Sequence, residues 1–246
     1  MIAADTGSRP RTAAVLVAGG SGERLEAGIP KAFVELGGQP MLVHAARAFV
    51  ACAAVDDLVC VVGAGQVGRA RQALDRAGLE AVAVTVGGTS RQQSVSRGLA
   101  GCPPSAHVVA VHDVARPLVS AQLIARTIAA LTAPWDAVAP GLPVVDTLKL
   151  LDHGRQEVLR TVDRRGLWAV QTPQVLERRT LERVHACAAG ASEATDDLSL
   201  VERAGGRVRL IEGDRSNLKI TFPGDLALAE LVLAARHPNR APAPRV

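Results

Sequence analysis

The stretch AAVLVAGGSGERLEAGIPKAF, residues 13–33, joins an apolar run to a glycine-rich turn and then to two cations, Arg24 and Lys31. A glycine-rich turn after a strand lets backbone N–H groups approach a phosphate chain, and α/β sheets bind ligands at the carboxyl ends of their strands. The stretch therefore predicts the first strand of an α/β sheet, followed directly by a phosphate-binding loop.

This loop matches neither of the two common nucleotide-binding motifs. Residue 25 is leucine, so the glycines do not give the dinucleotide fingerprint G-x-G-x-x-G. The nearest lysine, Lys31, follows a proline, so the P-loop motif G-x-x-x-x-G-K-[ST] is missing as well. What remains, G-G-x-G-x-R followed by P-K, brings a forked guanidinium and a compact ammonium close to a polyphosphate. The pattern is typical of phosphoryl or nucleotidyl transfer and argues against an NAD-dependent oxidoreductase.

Composition narrows the class of protein. With 246 residues, 48% of them hydrophobic, the chain can bury a sizeable core. Its apolar runs stop well short of the roughly 18 residues that a membrane span needs, and residues 1–12 contain no apolar stretch of signal-peptide type, so we expect a cytoplasmic protein without a membrane partner. Aromatic residues make up 2% of the chain, which leaves almost no base-stacking platform and argues against nucleic acid. The net charge of +4 suits phosphate ligands but equally fits a solvated arginine-rich surface.

Apolar runs alternate with helical segments along the first part of the chain. Continuous apolar runs predict buried strands at 13–18, 57–63, 81–86, 107–112 and 136–140. Helices are predicted at about 40–51, 65–77, 89–100, 120–131, 176–189, 195–204 and 223–236, with a further strand at 207–212. The alternation predicts an α/β fold with a mostly parallel sheet in a single domain, residues 12–236. The Pro-, Arg- and Ala-rich tails, 1–11 and 237–246, are predicted to be disordered.

Residues 142–170 break the alternating pattern. Two extended pieces flank the turn-like sequence DHGR, which predicts a β-hairpin. The hairpin is too polar for a core strand pair and carries Trp168, so we expect a protruding arm that packs on another surface, such as a second subunit. A solvent-exposed hairpin without a partner is the alternative.

Polar side chains follow two further predicted strands. HDVARP brings Asp113 and Arg116 to the carboxyl edge, and GGTSRQQSV brings Gly88, Thr89 and Ser94 there. An aspartate at this place can hold Mg²⁺ or a ribose hydroxyl, or it can simply cap a turn. More candidates occur later in the chain, each ordinary by itself: Thr147, Arg164, Thr172 and Lys219.

Taken in order, these segments resemble one known family. The segments that carry the resemblance are AGGSGERL, PKAF, GGTSRQQSV, HDVARP, VDTLK, VDRRGLW, QTPQ, TDDLSLVE, EGDRSNLKIT and PGDLALAE. They span nearly the whole chain and are similar to those of the 2-C-methyl-D-erythritol 4-phosphate cytidylyltransferases of the non-mevalonate isoprenoid pathway. The resemblance implies a Rossmann-like nucleotidyltransferase fold, with helices on both faces of a mostly parallel sheet and a β-hairpin arm that interlocks with its twin in a homodimer. It also implies CTP and a polyol phosphate as substrates, a requirement for Mg²⁺, and release of pyrophosphate.

The resemblance also implies a role for each candidate. The CTP triphosphate would be wrapped by Ala18, Gly19, Gly20, Ser21, Gly22 and Glu23, and the cytosine would be read by Gly88, Thr89 and Ser94. Arg24 and Lys31 would stabilise charge on the α-phosphate, and Lys219 would align the acceptor. Substrate sugar and phosphate groups would be met by Asp113, Arg116, Thr172 and, from the neighbouring subunit, Thr147 and Arg164. The metal ligands stay open: the CTP phosphates would hold most of the Mg²⁺ coordination, with Asp113 as a candidate.

Two other functions remain open from the sequence. Ribitol 5-phosphate cytidylyltransferases look alike in the glycine loop and in the set of cations, and differ mainly in the polyol phosphate that they accept. A non-catalytic nucleotide-binding module could keep the glycine loop without the chemistry, although the cations Arg24, Lys31, Arg164 and Lys219 are all retained here. Some members of the family are fused to a second enzyme of the same pathway, and we expect the single-function form.

Overall fold

A mixed sheet of eight strands forms the centre of the computed structural model, which describes residues 9–19, 25, 27–152, 154, 156–188 and 194–236. The strands are β1 (Thr12–Ala18), β2 (Glu35–Leu36), β3 (Gln39–Pro40), β4 (Asp57–Val62), β5 (Ala83–Val86), β6 (Val108–Asp113), β7 (Ala137–Pro143), β8 (Leu148–Leu151), β9 (Val158–Val162), β10 (Trp168–Val170), β11 (Gln174–Glu177) and β12 (Val208–Glu212). The helices are α1 (Met41–Val50), α2 (Val67–Asp75), α3 (Arg91–Ala100), α4 (Ala121–Ala129), α5 (Arg178–Cys187), α6 (Asp197–Arg203) and α7 (Pro223–Arg236), with a short 3-10 helix at Lys31–Phe33.

The order of strands across the central sheet is β10-β7-β11-β6-β1-β4-β5, and β12 pairs with β7. The pairings of β1 with β4 and β6, of β4 with β5, and of β7 with β12 are parallel. Only β10 and β11 pair antiparallel to their neighbours within this sheet as described. The mostly parallel α/β sheet predicted from the sequence is therefore confirmed.

Helices cover both faces of the sheet because the central strands are apolar on both sides. In β1, Ala14 and Leu16 contribute to one hydrophobic cluster with α1, α2, α4 and α7, whereas Ala13 and Val15 contribute to a second with α3, α5 and α6. Adjacent strand residues point to opposite faces, so a continuously apolar strand needs a cover on each side. Gly98 of α3 allows the closest approach, since a Cβ there would lie 2.4 Å from Cγ1 of Val15.

Two regions differ from the sequence-based prediction. The helix predicted to begin at residue 176 begins at Arg178, and the residues before it form β11, which inserts between β6 and β7. Arg9 and Arg11 fall in the predicted N-terminal tail, yet they form ion pairs with Asp56 and Asp57 at the amino end of β4. The ion pairs hold this segment beside the sheet.

Strands β8 and β9 form a separate antiparallel pair within residues 142–170. The chain leaves the central sheet at the end of β7 and returns to it at β10, which pairs with β7. Two residues of the DHGR turn, 153 and 155, lie outside the described residues. In the described part of the chain, no helix is both long enough and apolar enough to cross a membrane.

Candidate active site

A cleft of about 370 Å³ opens at the carboxyl edge of the sheet. It lies where β1, β5 and β6 end, because parallel strands direct their carboxyl ends, and the loops that follow, to one edge. The cleft brings together eight of the residues predicted from the sequence: Ala18, Gly19, Lys31, Gly88, Thr89, Ser94, Asp113 and Lys219. The predicted residues Gly20, Ser21, Gly22, Glu23 and Arg24 lie outside the described residues.

Among the described residues that line this cleft, Asp113, at the end of β6, is the acidic one. One carboxylate oxygen accepts from Nε of Arg91 at 3.2 Å, and the other accepts from Nζ of Lys219 at 2.9 Å. Burial by itself raises the pKa of Asp113, but the charges of Arg91 and Lys219 outweigh it and hold the pKa well below its ordinary value. Asp113 is therefore an anion that orients two cations on the cleft wall.

Lys31 enters the cleft from the short 3-10 helix that follows Pro30. Pro30 has an extended backbone (φ −56°, ψ 133°), which turns the chain into this helix. Phe33 anchors the helix in the core, where it is 2% exposed, and the guanidinium of Arg69 lies 4.4 Å from the centre of its ring. Pro30 and the buried Phe33 thus fix the backbone position of Lys31.

The loop Gly87–Thr89, between β5 and α3, is held in place by side chains of α3. Ser94 Oγ accepts from the Gly88 N–H at 3.1 Å and donates to the carbonyl of Ser90 at 2.8 Å. Gln93 Oε1 accepts from the Thr89 N–H at 3.0 Å. Because the Ser94 hydroxyl has given its hydrogen to Ser90, it can offer a ligand in the cleft only an acceptor.

Gly88 has no room for a side chain in this loop. A Cβ there would lie 2.2 Å from Cβ of Gln93 and 2.6 Å from its Oε1. Ser90, the N-cap of α3, fixes the start of the helix by accepting from the Gln93 N–H at 3.1 Å. The glycine lets the loop pack directly on the first turn of α3, beside the cleft.

Thr172 and His112 do not line the cleft but form a hydrogen-bonded chain that reaches the backbone of Asp113. Thr172 Oγ1 accepts from the Asp113 N–H at 3.2 Å and lies 2.9 Å from Nδ1 of His112. The carbonyl of Arg116 can only accept, so Nε2 of His112 carries the hydrogen and donates to it at 3.1 Å. In the neutral imidazole Nδ1 is then an acceptor, and the Thr172 hydroxyl donates to it. Burial lowers the pKa of His112 to about 4, so the imidazole is neutral at pH 7.

The Arg116 side chain points away from the cleft, into the protein. Its guanidinium donates to the carbonyl oxygens of Asn217 at 2.8 Å and Val170 at 3.2 Å. Burial lowers the pKa of Arg116 from its ordinary value. In this structure Arg116 joins the end of β10 to the segment that carries Lys219.

The segment around Lys219 is fixed by its neighbours on both sides. Asn217 is fully buried and donates through Nδ2 to the carbonyl of Thr172 at 2.9 Å. Ile220 is also fully buried, and its N–H donates to the carbonyl of Ala115 at 2.8 Å. Lys219 is thus held beside Asp113 by backbone and core contacts, while its side chain stays 48% exposed.

Thr147 and Arg164 lie on the hairpin region and do not line the cleft. Both are exposed, and the Arg164 guanidinium donates to the carbonyl of Val145. The single chain therefore does not bring these two predicted residues together with Lys31 and Lys219.

Arg91 is the cleft residue that sequence reasoning missed. It is the first residue of α3, and its Nη1 donates to Asp197 at 2.8 Å while its Nε donates to Asp113. Its Nη2 is buried without a hydrogen-bond partner in the described part of the chain, so the two carboxylates set its orientation. The Ser-x-x-Gln signature of Ser90 and Gln93 marks a helix start and would have placed Arg91 beside the loop. Nothing in the sequence signals its pairing with Asp197, 106 residues away.

Comparison with known proteins identifies the family. A family model described as 2-C-methyl-D-erythritol 4-phosphate cytidylyltransferase (IspD) matches residues 12–235. A relative with that name from Streptomyces avermitilis is 42% identical over 240 residues, which cover 94% of this chain and 95% of the relative.

Solved structures agree with this match. The 2-C-methyl-D-erythritol 4-phosphate cytidylyltransferase of Thermus thermophilus is 34% identical, with a TM-score of 0.71 over 89% of this chain and 97% of its own. The 4-diphosphocytidyl-2C-methyl-D-erythritol synthase of Anaerococcus prevotii is 26% identical, with a TM-score of 0.79 over 91% of this chain and 96% of its own. The chain has their nucleotidyltransferase-like α/β fold and belongs to the 2-C-methyl-D-erythritol 4-phosphate cytidylyltransferase family.

Proposed function

We propose that the protein transfers CMP from CTP to 2-C-methyl-D-erythritol 4-phosphate in the isoprenoid pathway, in the cytoplasm. A phosphate oxygen of the acceptor attacks the α-phosphorus of CTP, the bond from that phosphorus to the bridging oxygen breaks, and pyrophosphate leaves. The products are 4-diphosphocytidyl-2-C-methyl-D-erythritol and pyrophosphate. The chain belongs to this family, and one observation carries the proposal: its cleft brings Lys31, Lys219 and Asp113 together beside two glycine-containing loops.

Positioning and charge neutralisation account for the chemistry. The acceptor phosphate is already largely ionised at neutral pH, so the reaction needs no side-chain base. Lys31 faces the cleft beside Ala18 and Gly19, where the triphosphate would enter, and stabilises negative charge as the α-phosphorus becomes five-coordinate. Lys219, which Asp113 holds at the end of β6, aligns the acceptor phosphate. We assign Gly20–Arg24 to the same triphosphate loop on the strength of the family motif.

The loop Gly87–Thr89 fits the nucleotide base. Its backbone is fixed before any ligand binds, because Gln93 and Ser94 hold it to α3. The acceptor-only hydroxyl of Ser94 complements a donor such as the exocyclic amino group of cytosine. A base that presents a carbonyl at that position would place two acceptors together, which favours CTP over UTP.

The described residues fit a magnesium ion that arrives on the nucleotide rather than one held in a protein cage. Among them, no three His, Cys, Asp or Glu side chains cluster in a way that could hold a metal. Asp113 is the carboxylate that a nucleotide-bound ion could reach, and both of its oxygens are paired with cations. Mg²⁺ is commonly bound through substrate phosphates with one or two carboxylates. Bound in this way, it would neutralise charge on the triphosphate.

We also propose that the protein is a homodimer in which the hairpin contributes to the partner's cleft. Apolar side chains on the hairpin are exposed in the single chain: Val145, Leu150, Leu151, Val158, Leu159 and Trp168. An apolar surface of this kind is typical of a subunit interface. Pairing would bury it and would bring Thr147 and Arg164 to the acceptor phosphate in a second cleft, which the single chain does not do.

Product analysis tests the proposal. Purified protein with CTP, Mg²⁺ and 2-C-methyl-D-erythritol 4-phosphate should give a ³¹P spectrum with pyrophosphate and two coupled resonances of an asymmetric diphosphate. A parallel sample with ribitol 5-phosphate should show unchanged CTP. Formation of the diphosphate only from ribitol 5-phosphate would move the enzyme to that polyol, and formation from neither would leave a nucleotide-binding module.

A further inference from the structure

A buried ionic network runs from the cleft into the helical layer on one face of the sheet. Lys219 binds Asp113, Asp113 binds Arg91, and Arg91 binds Asp197, with N–O distances of 2.9, 3.2 and 2.8 Å. Asp197 continues the network to Nε2 of His185 at 2.8 Å. The first three of these residues line the cleft, whereas Asp197 and His185 lie behind it.

Asp197 is the more deeply buried of the two carboxylates in this network. It is 1% exposed, in the first turn of α6, and its N–H donates to Oε1 of Gln174 at 2.9 Å. The Gln174 side chain also binds Asp196, the N-cap of the same helix, at 2.7 Å. Burial by itself raises the pKa of Asp197, but Arg91 and the hydrogen bond from His185 outweigh it and keep the pKa below its ordinary value.

Arg91 needs this support because Asp113 cannot orient it alone. Asp113 shares its charge with Lys219 and binds Nε of Arg91 at the longer distance of 3.2 Å. The shorter contact, at Nη1, comes from Asp197. Two carboxylates on different nitrogens fix the plane of a guanidinium, whereas one such contact leaves it free to swing.

We infer that Asp197 is a positioning residue for the CTP site: with His185 behind it, it holds Arg91 and, through Arg91, Asp113 in their places on the cleft wall. The inference rests on the proposed function, because it takes the cleft to be the CTP site. A positioning role for Asp197 differs from a purely structural role in one respect. The effect of losing Asp197 must pass through Arg91 and must appear in nucleotide binding.

The test is a double-mutant cycle on CTP binding to the full chain. Asp197→Asn, Arg91→Ala and the double variant are compared by calorimetric titration with CTP and Mg²⁺, and by steady-state kinetics. Asp197→Asn should raise the Kd for CTP by about tenfold, the lower end of the loss typical when a residue that orients a metal ligand is removed, because Asp197 acts on Arg91 in the same indirect way. The effect on the KM for the acceptor should be smaller than that on the Kd for CTP, because Lys219 keeps its own contact with Asp113. The double variant should bind CTP no more weakly than Arg91→Ala alone.

Ser120→Ala is the control. It removes the N-cap of α4, which lowers the stability of the fold, but Ser120 lies outside the ionic network. Its Kd for CTP should equal that of the wild type even though its Tm falls. Effects of Asp197→Asn and Arg91→Ala that add in the double variant, or an unchanged Kd in folded Asp197→Asn, would overturn the inference.

A second variant covers the case in which Asp197→Asn does not fold. His185→Asn removes the imidazole that binds the far oxygen of Asp197, and we expect it to raise the Kd for CTP by about threefold. An unchanged Kd in that variant would contradict the network. Failure of the proposed function is distinguishable, since the wild type itself would then show no turnover with 2-C-methyl-D-erythritol 4-phosphate, whatever its affinity for CTP.

Discussion

Nζ of Lys219 lies 2.9 Å from Oδ2 of Asp113, although 106 residues separate the two along the chain. The same carboxylate binds Arg91 through its other oxygen. A cation held in this way keeps its place before the substrate arrives, which is how a preorganised site lowers the cost of charge stabilisation in the transition state.

Replacing this carboxylate by its neutral amide should separate Lys219 and Arg91 from their common anchor. We expect Asp113→Asn to lower kcat/KM by at least about tenfold, because both cations lose their fixed positions. The free energy of unfolding should fall by about 1–2 kcal/mol, less than for a fully buried pair, since Lys219 is half exposed. Steady-state kinetics and urea unfolding measure the two quantities. Wild-type kcat/KM in this variant would show that Asp113 does not organise the site.

Gly88 gives a steric test of the proposal that the loop at residues 87–89 binds the nucleotide base. The Cβ added by Gly88→Ala would lie 2.2 Å from Cβ of Gln93, so the loop must move away from α3. We expect the KM for CTP to rise by about tenfold or more, because a small displacement of binding groups is costly. Gly68→Ala on α2 is the control, since a Cβ there meets nothing within 4 Å and the substitution removes a glycine from a helix. Equal CTP kinetics in the two variants would contradict the assignment of the loop.

Lys31 is expected to act mainly in the transition state. Lys31→Ala should lower kcat by more than about tenfold with little change in CTP affinity, because the charge that it stabilises develops during transfer. Arg183→Ala, which removes an exposed cation of α5, should leave kcat unchanged. An unaltered kcat in Lys31→Ala would refute the role given to this residue.

Mixed dimers test whether the hairpin serves the neighbouring subunit. Arg164→Ala should raise the KM for the acceptor most, and Lys31→Ala should lower kcat. If the hairpin acts in trans, a mixed dimer of the two variants has one complete site, and an equal mixture should recover about a quarter of the wild-type sites. No recovery after subunit exchange, verified by mass spectrometry, would mean that each hairpin serves its own cleft.

Because His112 is buried in its neutral form, we predict that the protein becomes less stable as the pH falls. Burial lowers the pKa of His112 to about 4, against an ordinary value of about 6.5. Between these two pH values the imidazole binds a proton in the unfolded chain but not in the folded protein, so protonation favours unfolding. Stability contributed by the neutral imidazole is therefore present above pH 6.5 and is lost as the pH falls toward 4. Between pH 7 and pH 5 the loss should be on the order of 2 kcal/mol, measured by urea unfolding. His112→Gln should remove this part of the pH dependence, and an unchanged pH dependence in that variant would contradict the explanation.

The sequence predicts most of the sheet for a physical reason. Strands such as β1 and β6 are buried on both faces, so they appear as continuous apolar runs, and the cleft follows from where such strands end. Strand β11 was missed because Gln174–Glu177 is a short segment that runs straight into α5, and its apolar pair is equally compatible with a helix start. Its strand character comes from the gap that it fills between β6 and β7.

Some residues of the candidate site can likewise be predicted from local sequence, and others cannot. Lys31, Asp113 and Gly88 stand beside glycine or proline turns after strands, where local pattern identifies them. Arg91 and Asp197 lie in the first turns of two helices that are far apart in sequence. Only the tertiary fold, in which α3 and α6 both pack against α5, brings their side chains together. A single sequence carries no local signal for such a pair.

The most direct test of the proposed reaction is the rate of pyrophosphate release from CTP and Mg²⁺ by the purified protein. It is measured in parallel with 2-C-methyl-D-erythritol 4-phosphate, with ribitol 5-phosphate and without acceptor. We predict turnover with the methylerythritol phosphate and background rates in the other two samples. Background rates in all three samples, or turnover with ribitol 5-phosphate alone, would contradict the assignment.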